Sequence, residues 1–350
     1  MQSTKTIILF FVLVSLFSCR KKAHDLYKNA DFNLMLSISQ NENRAFCIVL
    51  TDSNQVESEE YLSKLNTTYK YLIQNANYNI LDLNIDSNSW YKKWLNPISL
   101  PVTCIFSSNG KLIDLIPGYS KETFLYSQEA IKNSSTTEYQ WPNRFGRNKN
   151  TVLPWLDQLL KIKLNLAKGV YHSAKVNGLM DSLNYPYAIY MVLLGEKISK
   201  NHDRLQSISS ELLRQESAFT LSVYRDEFIE AKTILNPDFN AKDAPSIRVD
   251  TPDILLKNCK VNQKSVLNIP VYNDGEYPLK IESIEISCTC LELLGKSKDI
   301  IIAPKESHII RLYFTPHETG QVARDLYIAS NAINKPLLHI NILAETIENK

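Results

Sequence analysis

Polar and apolar positions divide the chain into segments of different period. Ile7 to Phe17 is apolar at every position except Ser15. A run that short falls below the roughly 20 apolar residues a helix needs to cross a bilayer. Arg20 to Asn43 is mixed and polar, and predicts a tether with a first short element. Ala45 to Leu50 reads AFCIVL, a buried strand, and ends in the polar turn Thr51-Asp52-Ser53-Asn54. From Glu57 to Asn75, Tyr61, Leu62, Leu65, Tyr69 and Leu72 recur at helical spacing and predict one amphipathic helix. Tyr78 to Ile85 alternates as a strand, Ser87 to Leu95 predicts a short helix, and Val102 to Phe106 a further strand. Ser108-Asn109-Gly110-Lys111 is a hairpin turn, followed by a return strand at Leu112 to Ile116 and a closing helix at Lys121 to Lys132.

A polar stretch from Thr136 to Asn150 predicts a linker. Val152 to Leu235 then turns helical, with stripes at Leu153, Leu156, Leu159 and Leu160, and at Tyr187, Tyr190, Met191 and Leu194. The stripes read as core, in antiparallel pairs loosely like a tetratricopeptide array but without its strict repeat. Pro186 suits a first helical turn. Asn236 to Ser246 predicts a second linker. Beyond Ile247 the period becomes that of short strands, with turns at Asn273-Asp274-Gly275-Glu276, Ala303-Pro304-Lys305-Glu306 and Thr315-Pro316. Six or seven strands at such spacing predict an all-β sandwich.

Three sets of residues carry family resemblances. Lys5, the apolar run and Leu16-Phe17-Ser18-Cys19 resemble the signal peptide and lipobox of bacterial lipoproteins. That resemblance implies cleavage before Cys19, a diacylglyceryl group on its thiol and an acylated N-terminus, palmitate among the chains. Two or three acyl chains anchor a protein stably. Arg20-Lys21-Lys22 would then lie against anionic head groups. The expected location is the cell envelope, at the periplasmic face of the outer membrane, with the lipid on Cys19 as the membrane contact.

Leu100-Pro101-Val102-Thr103-Cys104-Ile105-Phe106, Asn109-Gly110-Lys111 and Pro117-Gly118-Tyr119, within the order strand, helix, strand, helix, strand, hairpin, strand, helix, resemble the thioredoxin fold. Pro101 stands where that family has its cis-proline, whose loop offers a backbone edge to an extended peptide or a redox partner. The Cys-x-x-Cys of redox-active members is missing. Gln55 and Ser58 lie near the two lost positions, and neither exchanges disulfides. Cys47 and Cys104 read as small buried hydrophobes.

Val271-Tyr272-Asn273-Asp274-Gly275-Glu276-Tyr277-Pro278-Leu279, Ser287-Cys288-Thr289-Cys290, Ile302 to Ser307 and Tyr313-Phe314-Thr315-Pro316 resemble a bacterial domain of unknown function related to Hydin-type immunoglobulin-like domains. Lys305 stands where glycine is usual there, and Leu291 where threonine is common. The resulting expectation is a multidomain chain. It comprises a signal peptide at 1–18, a lipid-anchored tether at 19–43, a thioredoxin-like α/β domain at 44–135, a helical domain at 150–236 and an immunoglobulin-like sandwich at 247–346.

Composition narrows the chemistry. The formal net charge is +2 and no basic block suits nucleic acid. Nine glycines in 350 residues leave little for phosphate-cradling loops. No G-x-S-x-G, H-E-x-x-H or G-x-x-x-x-G-K-[ST] occurs, and Glu57, Glu59 and Glu60 read as charges suited to a helix N-terminus. No cofactor and no metal is expected. Of the six cysteines, five remain once Cys19 is lipidated, so at least one thiol stays free or pairs between molecules. Cys288 and Cys290, two apart on an expected strand, would have Cα atoms about 6.6 Å apart, so a bridge there needs a bend. Three readings stand: a structural pair, a labile redox pair, or a soft-metal site with His308 and His317 in the same domain. Cys259 could pair with either. The expected function is a non-catalytic envelope lipoprotein acting as a binding or assembly module for an envelope protein partner, with a thiol–disulfide protein using Cys288 and Cys290 as the alternative.

Overall fold

The computed structural model describes residues 26–171, 178 and 185–348. The expected signal peptide at 1–18 and the expected lipidation residue Cys19 lie outside these residues. The chain divides into two compact units that meet between Asp157 and Gln158.

The first unit is a mixed α/β body. Its sheet has the order β1 (Leu26–Lys28), β3 (Asn77–Asp82), β2 (Phe46–Thr51), β4 (Val102–Phe106), β5 (Leu112–Pro117). β1 and β2 run parallel to β3, while β4 is antiparallel to both β2 and β5. Every residue of β2 is buried, because strand alternation feeds apolar side chains to both faces. On one face Cys47 and Val49 join Tyr61 and Leu65 of α2 (Val56–Asn66), Leu72 of α3 (Tyr71–Asn75) and Phe124 of α5 (Lys121–Asn133). On the other, Phe46 stacks on Phe106 at 4.9 Å between ring centres, and Phe32 of α1 (Phe32–Glu42) meets both rings edge-on. α4 (Ser89–Leu95) adds the buried Trp94, whose indole N–H donates to Leu156 O at 3.0 Å.

Several expectations are revised here. The predicted tether holds β1 and α1 between Leu26 and Glu42, so the folded unit starts before residue 44. α1 is set by Asp31, whose carboxylate accepts from the N–H groups of Asn33 and Leu34. The single helix expected over 57–75 breaks after Asn66. Thr67 and Thr68 are stiff at χ1, and the Thr67 hydroxyl bonds back to Ser63 O at 2.8 Å. The strand expected to reach Ile85 stops at Asp82, whose carboxylate accepts the Asn84 N–H at 3.0 Å and turns the chain. The stretch 136–150 is held to the sheet. Thr137 donates from backbone and hydroxyl to the buried Asp114 carboxylate at 2.8 and 2.7 Å, and Lys149 pairs with the other oxygen at 2.8 Å.

The second unit begins within α6 (Lys149–Leu166) and continues through α7 (Pro186–Ser199), α8 (His202–Leu213) and α9 (Ala218–Leu235). α8 packs against both α7 and α9. The chain then forms an all-β sandwich of a four-stranded and a five-stranded sheet. The first has the order β10 (Leu291–Leu294), β12 (Ser307–Phe314), β8 (Ser265–Asn273), β6 (Ile247–Val249). The second has the order β11 (Ile300–Ile302), β9 (Leu279–Ile286), β13 (Gly320–Ser330), β14 (Leu337–Ile347), β7 (Asp253–Lys260). Inward residues alternate along each strand, as in Leu267, Ile269 and Val271 of β8 facing Leu326 and Ile328 of β13 across the core. These described strands exceed the six or seven expected, because β6, β7 and β10 are short or half-exposed and carry weak alternation.

Helices and sandwich share one unit. Glu282 of β9 accepts from the N-terminal N–H of α9 at Ala218, at 3.2 and 3.1 Å, which places a carboxylate on the positive end of the helix.

Candidate functional site

Two places bring the expected residues together. The first is one end of the α/β sheet. Leu50 pairs with Val102 across β2 and β4, so the chain leaving β2 and the chain entering β4 emerge side by side. The Leu100–Pro101 peptide is cis. Pro101 is buried, and its carbonyl accepts from Gly118 N–H at 2.8 Å. Gly118 sits at φ +92°, where a side chain is strained.

Opposite Pro101, residues 52 to 58 form a closed polar loop. The Asp52 carboxylate accepts from Asn54 N–H at 2.9 Å and from the Asn84 side-chain amide at 2.7 Å. Asp52 N–H donates to the Ser58 hydroxyl at 3.0 Å. Ser58 is thereby buried on the first turn of α2, while Gln55 is exposed at the cap position and its amide reaches Asp52 at 3.3 Å. Neither position carries sulfur. Large apolar side chains are exposed on both stretches, Val56 at the first position of α2 at 65% and Ile98 in the chain entering β4 at 50%.

The thiols of this unit lie away from that loop. Cys47 is fully buried in β2, and burial pushes its thiol up to about 12. Cys104, fully buried in β4, is also held above its ordinary value by burial. Both remain protonated at neutral pH and cannot serve as nucleophiles without exposure.

The second place is the turn joining β9 to β10. Cys288 and Cys290 form a disulfide with Cα atoms 5.3 Å apart. The pair stands in a turn rather than on the strand expected. β9 ends at Ile286, where Ser287 N–H donates to Asp325 O at 3.0 Å and the Ser287 hydroxyl accepts from Asp325 N–H at 2.8 Å. The turn supplies the bend that a two-residue spacing requires. Cys288 is half-buried and Cys290 is 5% exposed. Arg324 Nε donates to Cys290 Sγ at 3.1 Å. Cys259, on β7, is a buried free thiol and takes no part in the bridge.

Arg324 is the residue the sequence reading missed. It lies 34 positions from Cys290, with no local signal. The pairing of Leu326 with Ile286 carries β13 past the turn and is what brings the guanidinium to the sulfur. His308 stands on β12, and His317 Nδ1 lies 3.3 Å from the Asn262 side-chain oxygen. Among the described residues no group of three or more His, Cys, Asp or Glu side chains could hold a metal ion. Among the same residues no helix is long and apolar enough to cross a membrane.

The architecture is thus a mixed α/β region, a helical middle and a C-terminal all-β sandwich. Within it, residues 247–345 form a DUF1573 domain, matching the family described as a protein of unknown function. No curated protein matches the chain. Among solved structures it is similar to a protein of unknown function from Porphyromonas gingivalis W83, at 20% identity over 31% of this chain and 50% of that one, with a TM-score of 0.27. It is also similar to the ASH/PapD-like domain 7 of human CEP192, at 10% identity over 32% and 93% of the two chains, with a TM-score of 0.26. WR4, a C. elegans MSP family member, is similar at 9% identity over 29% and 97%, with a TM-score of 0.22. The chain spans half the length of the Porphyromonas gingivalis structure it resembles.

Proposed function

We propose that this chain is an envelope lipoprotein, anchored through Cys19 at the periplasmic face of the outer membrane, whose Pro101 sheet end acts as a non-catalytic binding or assembly module. In this reading the first unit is a thioredoxin-like fold without thiol chemistry, and the DUF1573 domain is an immunoglobulin-like module. The observation that carries the binding role is the sheet end at Pro101. A hydrogen-bonded loop with Gln55 and Ser58 stands where the thioredoxin reading would have a thiol pair, while Val56 is exposed at the start of α2 and Ile98 is exposed three residues before the cis-proline. Such an end suits an extended apolar segment of another envelope protein, gripped by backbone and by side-chain contact.

One experiment reads both halves of the proposal. Cells expressing the full chain are fed an alkyne palmitate, and the protein is recovered from the membrane fraction after mild crosslinking. The label is expected on the peptide that begins with Cys19, and a partner is expected to co-purify. In a Val56→Asp, Ile98→Asp double variant the label stays and the partner falls at least tenfold, about 1.4 kcal/mol. An unlabelled Cys19 peptide would refute the anchor, and undiminished partner recovery would refute the docking end.

A further inference from the structure

The turn at Cys288 to Cys290 carries chemistry that the binding role leaves unused. The bridge encloses one residue, so it stabilises the fold little by restricting the unfolded chain. The backbone around it is held independently. Ser287 is tied to Asp325 by two hydrogen bonds, and Thr315 N–H donates to Cys290 O at 2.8 Å. Opening the bridge therefore breaks no strand pairing.

The two sulfurs differ in a way that sets a direction. Cys290 is buried and touches the Arg324 guanidinium, whereas Cys288 is half-buried and nearer solvent. Arg324 is itself fixed, with Nη1 donating to Ala323 O at 2.8 Å and Nη2 to the Glu318 carboxylate at 3.1 Å. A guanidinium N–H gains little from a neutral bridge sulfur. Against a thiolate it makes a charge-assisted hydrogen bond. The arrangement thus favours Cys290 as the leaving sulfur and directs attack to Cys288.

We propose that the Cys288–Cys290 bridge is a thiol–disulfide exchange site that oxidises a protein dithiol, with Arg324 receiving the departing Cys290 thiolate. A thiolate of the partner attacks Cys288 Sγ. The Cys288–Cys290 bond breaks, and its electron pair goes to Cys290. The partner's second thiol loses its proton, attacks the partner sulfur of the mixed disulfide, and displaces Cys288. The partner leaves as a disulfide, oxidised by two electrons. Cys288 takes up that proton and ends as a thiol, Cys290 ends as a thiolate, and the negative charge of the attacking thiolate is conserved. Arg324 makes the bridge more oxidising because it stabilises the reduced pair alone.

The test equilibrates the full chain, solubilised in detergent, with graded glutathione buffers, quenches in acid, and reads alkylation of each cysteine by peptide mass. Reversible half-reduction of Cys288 and Cys290 is expected within the glutathione range, while Cys47, Cys104 and Cys259 stay unalkylated until denaturant is added. Arg324→Gln should shift the exchange constant about tenfold toward the bridge, ~30 mV for a two-electron couple, and Arg324→Lys should recover part of that shift. With Cys290→Ser, a single-cysteine peptide activated as its aromatic mixed disulfide should transfer onto the free Cys288 thiolate, releasing the aromatic thiol, and stay trapped there because no second thiol resolves it. A bridge that stays closed in reducing glutathione overturns the proposal. So does an exchange constant equal in wild type, Arg324→Gln and Arg324→Lys, a readout that a purely structural arginine would leave unmoved.

Discussion

At the scale of single residues, burial decides what each polar group does. Asn273 is fully buried, and its amide donates to the carbonyls of Tyr277, Ile302 and Ala303 while its oxygen accepts the Gly275 N–H. That network explains why the asparagine and glycine of this turn occur together. A Cβ on Gly275 would meet Ala244 O at 2.2 Å. Lys305 takes the left-handed conformation at φ +61°, the geometry for which glycine is usual, and its ammonium bonds to Asp274 O. Cys47 shows the energetic side of burial. Its thiol ionises near 9.0 when free of the fold and near 12 within it. The unfolded chain therefore binds fewer protons between those values, and stability falls as pH rises through that window. Cys47→Ala should flatten the decline between pH 9 and 11 by about 1 kcal/mol per pH unit, read from urea midpoints. Equal slopes in the two proteins would show that the thiol stays protonated in neither state or in both.

At the scale of elements, the strongly periodic segments were legible and the weakly periodic ones were not. β2, β4 and β5 are legible as apolar runs, interrupted within β4 by Thr103 and within β5 by Asp114. The first short element expected within 20–43 is α1, whose type and bounds the pattern leaves open because Phe32 and Met35 are its only buried apolar positions. The break between α2 and α3 escaped notice because Leu72 and Ile73 keep the apolar spacing across it. Ile284 and Ile286 set up an alternation that Cys288 and Cys290 continue in sequence, which is why the pattern predicts a strand at the bridge. The Ser287–Asp325 hydrogen bonds that end the strand depend on a segment 38 residues away. The tie between Glu282 and α9 is likewise a long-range pairing of two unremarkable positions. Glu282→Gln keeps the shape and removes the charge. It should cost about 0.5–1 kcal/mol in unfolding free energy, with the loss shrinking in high salt. A salt-independent change, or none, would remove the dipole contribution from the account.

At the scale of the whole molecule, the two units carry different features. The first offers a sheet end with exposed apolar side chains, and its described cysteines, Cys47 and Cys104, are fully buried. The second combines helices with a DUF1573 sandwich whose turn carries the bridge. The fold classes of the three regions were readable from changes of hydrophobic period along the chain. The joining of the helices to the sandwich was not, since the contacts that join them carry no sequence pattern. The candidate sites were readable in part. Pro101, Gln55, Ser58, Cys288 and Cys290 stood out by motif, whereas Val56, Ile98 and Arg324 gain meaning only from their placement. The central claim is that the Pro101 end of the first unit holds another protein. Its most direct test is a photo-crosslinking amino acid placed in turn at Val56, at Ile98 and, as a control on an exposed helix position, at Glu129. Irradiation of intact cells should give the same discrete adduct from Val56 and Ile98 and none from Glu129. Adducts from all three positions alike, or from none, would contradict a docking role for that end of the sheet.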